Sequence, residues 1–167
     1  ILKEIMKGVH FLHLHNIIHG DLKLENIMVS APTCWNSYET IKLIDFESAS
    51  IYNRDIRTYK QKKEIRFTEG YCSPERLHGI IYFSNDIWSV GIIAYILFEF
   101  RFPFDIIHVI QLKKADFIMD IYRNHITLIK CLKKMFTYNY LERPSSFDVL
   151  NSPLFENAAR QIPKLLR

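Results

Sequence analysis

Glycine is scarce in this chain, with 5 among 167 residues. Flexible low-complexity linkers are therefore not expected, and the composition favours one compact domain with a substantial core. Cysteine is scarcer still. Cys34, Cys72 and Cys131 are odd in number, far apart and without paired spacing. That pattern argues against a disulfide framework or a zinc site and fits a reducing intracellular compartment, cytoplasmic or nuclear. Charge of one sign is also lacking. The formal net charge is only +4, and no basic arm is present. This excess assists approach to phosphate-bearing ligands but does not argue for nucleic acid as a partner. Long apolar runs are missing as well. The strongest, Ile87 to Phe98, is interrupted by Ser89 and Gly91 and is too short to span a bilayer. No signal-peptide pattern and no internal repeat are found. The first residue is Ile1 rather than methionine, and the sequence enters directly on a helical pattern, so an upstream segment is expected.

What is present is a polar cluster between apolar supports: Ile17-Ile18-His19-Gly20-Asp21-Leu22-Lys23-Leu24-Glu25-Asn26-Ile27-Met28-Val29. It sets a carboxylate, an ammonium and a carboxamide two and three residues apart. Those groups are a potential base, a potential phosphate ligand and a potential metal ligand on one loop.

The elements around it follow from periodicity. Residues 1–15 place Ile1, Leu2, Ile5, Met6, Val9 and Leu12 on one helical face. Four histidines, His10, His13, His15 and His19, crowd this end, but no acidic or thiol ligand accompanies them on the helix. Packing and polar-surface roles are expected of them rather than metal binding. Ile27–Val29 reads as a short strand, residues 31–40 as a hairpin turn, and Ile41–Ile44 as the return strand. The hairpin delivers Asp45 towards Asp21 and Asn26, and oxygen ligands converging there suit a hard cation such as magnesium.

Residues 48–70 show no lasting period and read as a long polar loop, a length that is usually functional or disordered. Its basic residues Arg54, Arg57, Lys60, Lys62, Lys63 and Arg66 form either a solvated face or a functional one. From Asn85 to Phe98 the chain becomes apolar all round, which predicts a helix buried on every side. Ser84 or Asn85 is expected to cap it, with Asp86 placed to favour the helix dipole. Further amphipathic helix is expected over 106–136, clearest at Ile126, Ile129, Leu132, Met135 and Phe136. Ser145 or Ser146 should cap a helix from about Phe147 to Leu150, which Asn151-Ser152-Pro153 breaks before a polar tail.

In this order the segments resemble the C-terminal lobe of a eukaryotic protein kinase of the serine/threonine type. His19 to Asn26 stands where that family has its catalytic loop, and Asp45-Phe46-Glu47 where it has Asp-Phe-Gly. Ser73-Pro74-Glu75 stands for Ala-Pro-Glu. Asp86, Trp88, Ser89 and Gly91 match the buried central helix, and Arg143-Pro144 the late arginine that pairs with that Glu. The resemblance implies a mainly α fold, a kinase-like C-lobe with a small β-hairpin carrying the catalytic and metal-binding loops. Residues 1–167 would form one incomplete kinase domain.

It further implies transfer of the ATP γ-phosphate, with Mg2+, to hydroxyls of a protein substrate. Asp21 would accept or orient the hydroxyl proton, Lys23 would neutralise charge on the phosphoryl group, and Thr68 would support both. Lys23, Glu25, Asn26, Met28 and Asp45 would surround the nucleotide, with Asn26 and Asp45 holding the metal and Met28 flooring the adenine. Glu25 alternatively contacts a substrate arginine or stays solvated. Glu75 and Arg143 would form a structural ion pair, and His19 and Phe46 packing contacts. The form of Tyr71-Cys72-Ser73-Pro74-Glu75 and the central helix leans towards the calmodulin-dependent branch. Oligomeric state and substrate identity are not encoded in these motifs.

Three departures bear on activity and sustain an alternative, a pseudokinase kept as a scaffold or binding module. Gly20 replaces the usual arginine beside the catalytic Asp, which weakens regulation through a phosphate on Thr58, Tyr59 or Thr68. Glu47 replaces a glycine that permits backbone geometries a Cβ resists. Its carboxylate would also repel phosphate, by about 4 kcal/mol for like charges ~4 Å apart at an effective dielectric near 20. The N-terminal lobe, with its Gly-rich loop and phosphate-clamping lysine, is absent from the sequence. Residues 1–167 alone are therefore predicted to show no ATP-dependent phosphate transfer in a radiolabel assay; clear magnesium-dependent incorporation would refute this.

Overall fold

The computed structural model describes residues 1–30, 40–53, 67–103 and 125–156. The hairpin turn at 31–39, the basic cluster with Thr58 and Tyr59, the helix expected over 106–124 and the tail after 156 lie outside these residues. Helices dominate the described part, with two small two-stranded sheets. Among the described residues no helix is long and apolar enough to cross a membrane.

The first helix, α1 (Leu2–Leu14), buries Ile5, Met6, Val9 and Leu12, the face its 3.6-residue period predicts. Ile1 was expected on that face but is exposed, because it precedes the first helical turn. After Asn16, in a left-handed conformation at φ 59°, the strand β1 (Ile17–Ile18) follows. The strands β2 (Ile27–Ser30) and β3 (Thr40–Leu43) form the anticipated antiparallel hairpin, in register Ile27 with Leu43 and Ser30 with Thr40. One strand was not anticipated. Within the presumed loop 48–70, β4 (Ser50–Ile51) pairs antiparallel with β1. Two residues are too few to show an alternating pattern in sequence.

The short helix α2 (Pro74–Leu77) precedes α3 (Phe83–Glu99), whose residues Ser84 to Tyr95 are all buried. This is the all-round apolar helix in its expected place, but its cap differs from expectation. The helix starts one residue before Ser84, and Asn85 acts from inside the first turn, its Oδ1 accepting the backbone N–H of Tyr82 at 2.7 Å. At Gly91 a Cβ would lie 2.8 Å from the ring of Phe136, so the helix can approach α4 (Ile126–Met135) only without a side chain there. Trp88 meets the same ring edge-on, with centroids 5.1 Å apart.

On α4 the buried residues are Leu128, Cys131, Leu132 and Met135, whereas Ile126 is exposed at the helix start. Ser145 caps α5 (Ser146–Leu150) reciprocally with Asp148, each side chain bonding the other's backbone N–H, at 3.2 and 2.9 Å. The break at Pro153 opens another short helix, α6 (Pro153–Glu156), rather than a polar tail, because Phe155 has core to bury against.

The anticipated ion pair locks these parts together. Arg143 donates through Nη1 and Nη2 to Glu75, at 2.7 and 3.0 Å. Nη1 also reaches the Ser84 carbonyl, Nε the Thr137 carbonyl, and the guanidinium lies 5.0 Å from the Trp88 ring centroid. Glu75 accepts a further bond from Asn85. Both charges are buried and multiply bonded, so removing one strands the other. Arg143→Met is expected to cost about 3–5 kcal/mol in urea unfolding; a loss under about 1 kcal/mol, the size of a surface pair, would contradict this.

Candidate active site

The polar loop hangs between β1 and the start of α3. Asp86, 1% exposed, accepts the backbone N–H of His19 on Oδ2 and of Gly20 on Oδ1, both at 2.9 Å. The ring of His13, from α1, reaches Oδ2 at 3.0 Å. Burial alone would raise the Asp86 pKa, but His13 and the two backbone donors hold the carboxyl below its usual range. The residue expected merely to favour the helix dipole therefore fastens the loop. A charged acid opening an otherwise apolar helix was the available signal.

His19 continues the connection. Its Nε2 donates to the Ile44 carbonyl at 3.1 Å, and its ring packs on Phe46 at 5.0 Å between centroids. The histidine cluster is thus structural. His10 meets the Ser146 hydroxyl and His15 the Phe11 carbonyl. Among the described residues no group of three His, Cys, Asp or Glu side chains could hold a metal.

Asp21, Lys23 and Thr68 close into a triangle. Asp21 Oδ1 accepts the backbone N–H of Thr68 at 3.0 Å and its hydroxyl at 2.9 Å. Lys23 Nζ lies 3.0 Å from Asp21 Oδ2 and donates to Thr68 Oγ1 at 2.9 Å. The hydrogen bond to Asp21 raises the Lys23 pKa, against its burial and with the charges of Asp21, Glu25 and Asp45. An ammonium is thereby kept beside a carboxylate whose orientation two donors from one threonine fix.

Asn26 is buried and spends its amide N–H on the Asp21 carbonyl at 2.9 Å, which leaves its side-chain oxygen as an acceptor. Its own carbonyl accepts the Ile44 N–H at 3.0 Å, extending the hairpin by one bond towards Asp45. Asp45 is exposed and left-handed, at φ 64°. A carboxamide oxygen and a carboxylate carried by adjoining ends of one hairpin are a donor set that suits a hard divalent cation. Glu25 is exposed on the turn Leu24–Asn26, and Met28 is exposed on β2 opposite Lys42.

Two expected impediments change character. Glu47 is not among the described residues with positive φ; the left-handed backbone sits at Asp45 instead. Its side chain is exposed. Gly20 does need to be glycine, at φ 80° with the Ser48 carbonyl 2.6 Å from where a Cβ would lie. Cys72, close by, is no nucleophile: burial pushes its thiol up to about 12.

The model of the protein kinase domain matches residues 1–155. Calcium-dependent protein kinase 4 of Plasmodium falciparum is 32% identical over 157 residues, covering 90% of this chain and 29% of that protein. Calcium/calmodulin-dependent protein kinase type IV of Homo sapiens is 38% identical over 97 residues, 58% of this chain and 19% of its own length. Serine/threonine-protein kinase 17A of Oryctolagus cuniculus is 32% identical over 105 residues, 62% of this chain and 25% of its own. The matched part thus spans less than a third of the length of these relatives.

The Asp86 anchor has a pH signature. Its depressed native pKa contributes stability that is present above the unfolded carboxyl value near 3.8 and is lost as pH falls through the native value. Asp86→Asn is expected to flatten the acid limb of stability below about pH 4 and to speed amide exchange at His19 and Gly20. An unchanged acid limb in chemical denaturation would remove Asp86 from this role.

Proposed function

The chain belongs to the eukaryotic serine/threonine protein kinase family, and on that premise we propose that residues 1–155 form the C-terminal, catalytic lobe of an active protein kinase. The observation that carries this reading is the closed hydrogen-bond triangle of Asp21, Lys23 and Thr68. The phosphate-clamping groups that the sequence lacks would come from a nucleotide-binding lobe.

The substrate is a protein serine or threonine hydroxyl, and the phosphoryl donor is ATP. The hydroxyl oxygen forms a new bond to the γ-phosphorus as the bond from that phosphorus to the bridging oxygen of ADP breaks. Asp21 holds the hydroxyl in line and takes its proton. Thr68, occupying Oδ1 with two donors, keeps the carboxylate from rotating. Lys23 faces the oxygens of the moving phosphoryl group and offsets their charge. Magnesium, when bound, would neutralise charge on the phosphates, with the Asn26 side-chain oxygen and the Asp45 carboxylate as its protein ligands. Met28, exposed on β2, is the apolar surface offered to the adenine ring, and Glu25 lies within the field of Lys23 at the rim.

The intact triangle favours activity over the scaffold reading, because a binding module has no need of an aimed base. Neither expected impediment damages it. Glu47 is accommodated without a left-handed backbone, and Gly20 lies outside the hydrogen-bond circuit. In the natural polypeptide, Asp21→Asn should lower the rate of phosphoryl transfer by about 10²–10⁴-fold, with the thermal unfolding midpoint unchanged. Turnover equal to wild type in a peptide-phosphorylation assay would remove Asp21 from its assigned role.

A further inference from the structure

Arg76, on α2, is 4% exposed, yet neither its Nε nor its Nη1 has a hydrogen-bond partner among the described residues. A guanidinium stays charged in proteins, and leaving its donors unmet while buried is costly. The group lines a cavity of about 10 Å³ together with Gly20, Asp21, Thr68, Cys72 and Asp86. That volume is room for one water molecule, and although Leu22, Phe67 and Tyr71 also line it, Asp21, Thr68, Asp86 and Arg76 supply polar partners for it.

The position is informative. Arg76 Nη2 lies 3.1 Å from where a Cβ on residue 20 would begin, and the Ser48 carbonyl closes the other side at 2.6 Å. A side chain at position 20 and the guanidinium of Arg76 therefore compete for one space. The carboxylates of Asp21 and Asp86 both act electrostatically on Arg76, although burial as the larger effect draws its pKa down. Each carboxylate has acceptor capacity beyond the bonds it already makes.

We propose that Arg76 is a positioning residue for the polar loop, its guanidinium joined through one buried water to the Asp21 and Asp86 side of the cavity. The cation beside the base is then supplied by α2 rather than by the loop itself, and Gly20 is small to admit it. This inference rests on the reading of Asp21 as the base. Its consequence is directional. Arg76 touches no reacting atom, so its loss misplaces Asp21 without weakening nucleotide binding.

The test uses the natural polypeptide with Arg76→Met, which keeps length but removes donors and charge, and Arg76→Lys, which keeps charge without the planar fork. Misplacement of the base predicts a kcat about 100-fold lower in Arg76→Met, with KM for ATP within about twofold of wild type. Arg76→Lys should recover at least about tenfold of that loss, since charge is retained. Amide exchange over residues 19–23 should quicken about tenfold in Arg76→Met, with α1 and α4 unchanged. The proposal is overturned if turnover and exchange stay at wild-type values, if exchange rises equally in α1 and α4, or if Lys recovers no more than Met. Should Arg76→Met fail to fold, Arg76→Gln takes its place under the same criteria. Absence of phosphoryl transfer in the wild type would instead refute the kinase reading, and the exchange data would then decide Arg76 alone.

Discussion

A single buried carboxylate holds this structure together at the place where its chemistry would occur. Asp86 carries its charge at the start of an apolar helix, where an unpaired carboxylate would be prohibitively costly. It is tolerable because two backbone N–H groups and one imidazole converge on it from different segments. The dependence runs both ways. Asp86 fixes the path of the loop, and the loop's two N–H groups join His13 in keeping the buried carboxyl charged. Coupling of this kind makes the path of the loop backbone at His19 and Gly20, just before Asp21, depend on the buried helix.

The second buried charge cluster does similar work one layer away. Glu75 and Arg143, each with several hydrogen bonds, connect α2, the start of α3 and the turn before α5. Such a pair gains little over well-packed apolar residues in net stability. What it adds here is alignment, since a bidentate contact fixes both angle and distance. The segment from Thr68 to Leu77 is thereby held against α3 at one end and against the polar loop at the other.

Much of this was legible from residue order. The α1 stripe, the hairpin, the all-round apolar α3, the Ser145 cap and the Glu75–Arg143 pair follow from periodicity or from the family resemblance, and the structure places them as expected. The triangle of Asp21, Lys23 and Thr68 was anticipated from the resemblance alone, because 45 and 47 residues separate its members from Thr68. What escaped was non-local or small. The β1–β4 pairing involves two residues a side, and the α6 turn depends on a pocket for Phe155 that only tertiary packing creates. Glu47 looked like a backbone problem because the pattern places glycine there, whereas the left-handed conformation belongs to Asp45. Arg76 gave no signal, since an arginine two residues after a proline reads as surface until its burial is seen.

The two bonds from Thr68 to one oxygen of Asp21 carry a consequence for timing. One donor is backbone and the other side chain, so both are in reach only when the main chain at Thr68 has its native course. Lys23 donates to the same hydroxyl. The carboxylate of Asp21 and the ammonium of Lys23 thus share one reference point: both are positioned together, according to whether the stretch leading to Ser73 has its native course. Any event that displaces that stretch releases both side chains at once, with no need to alter either.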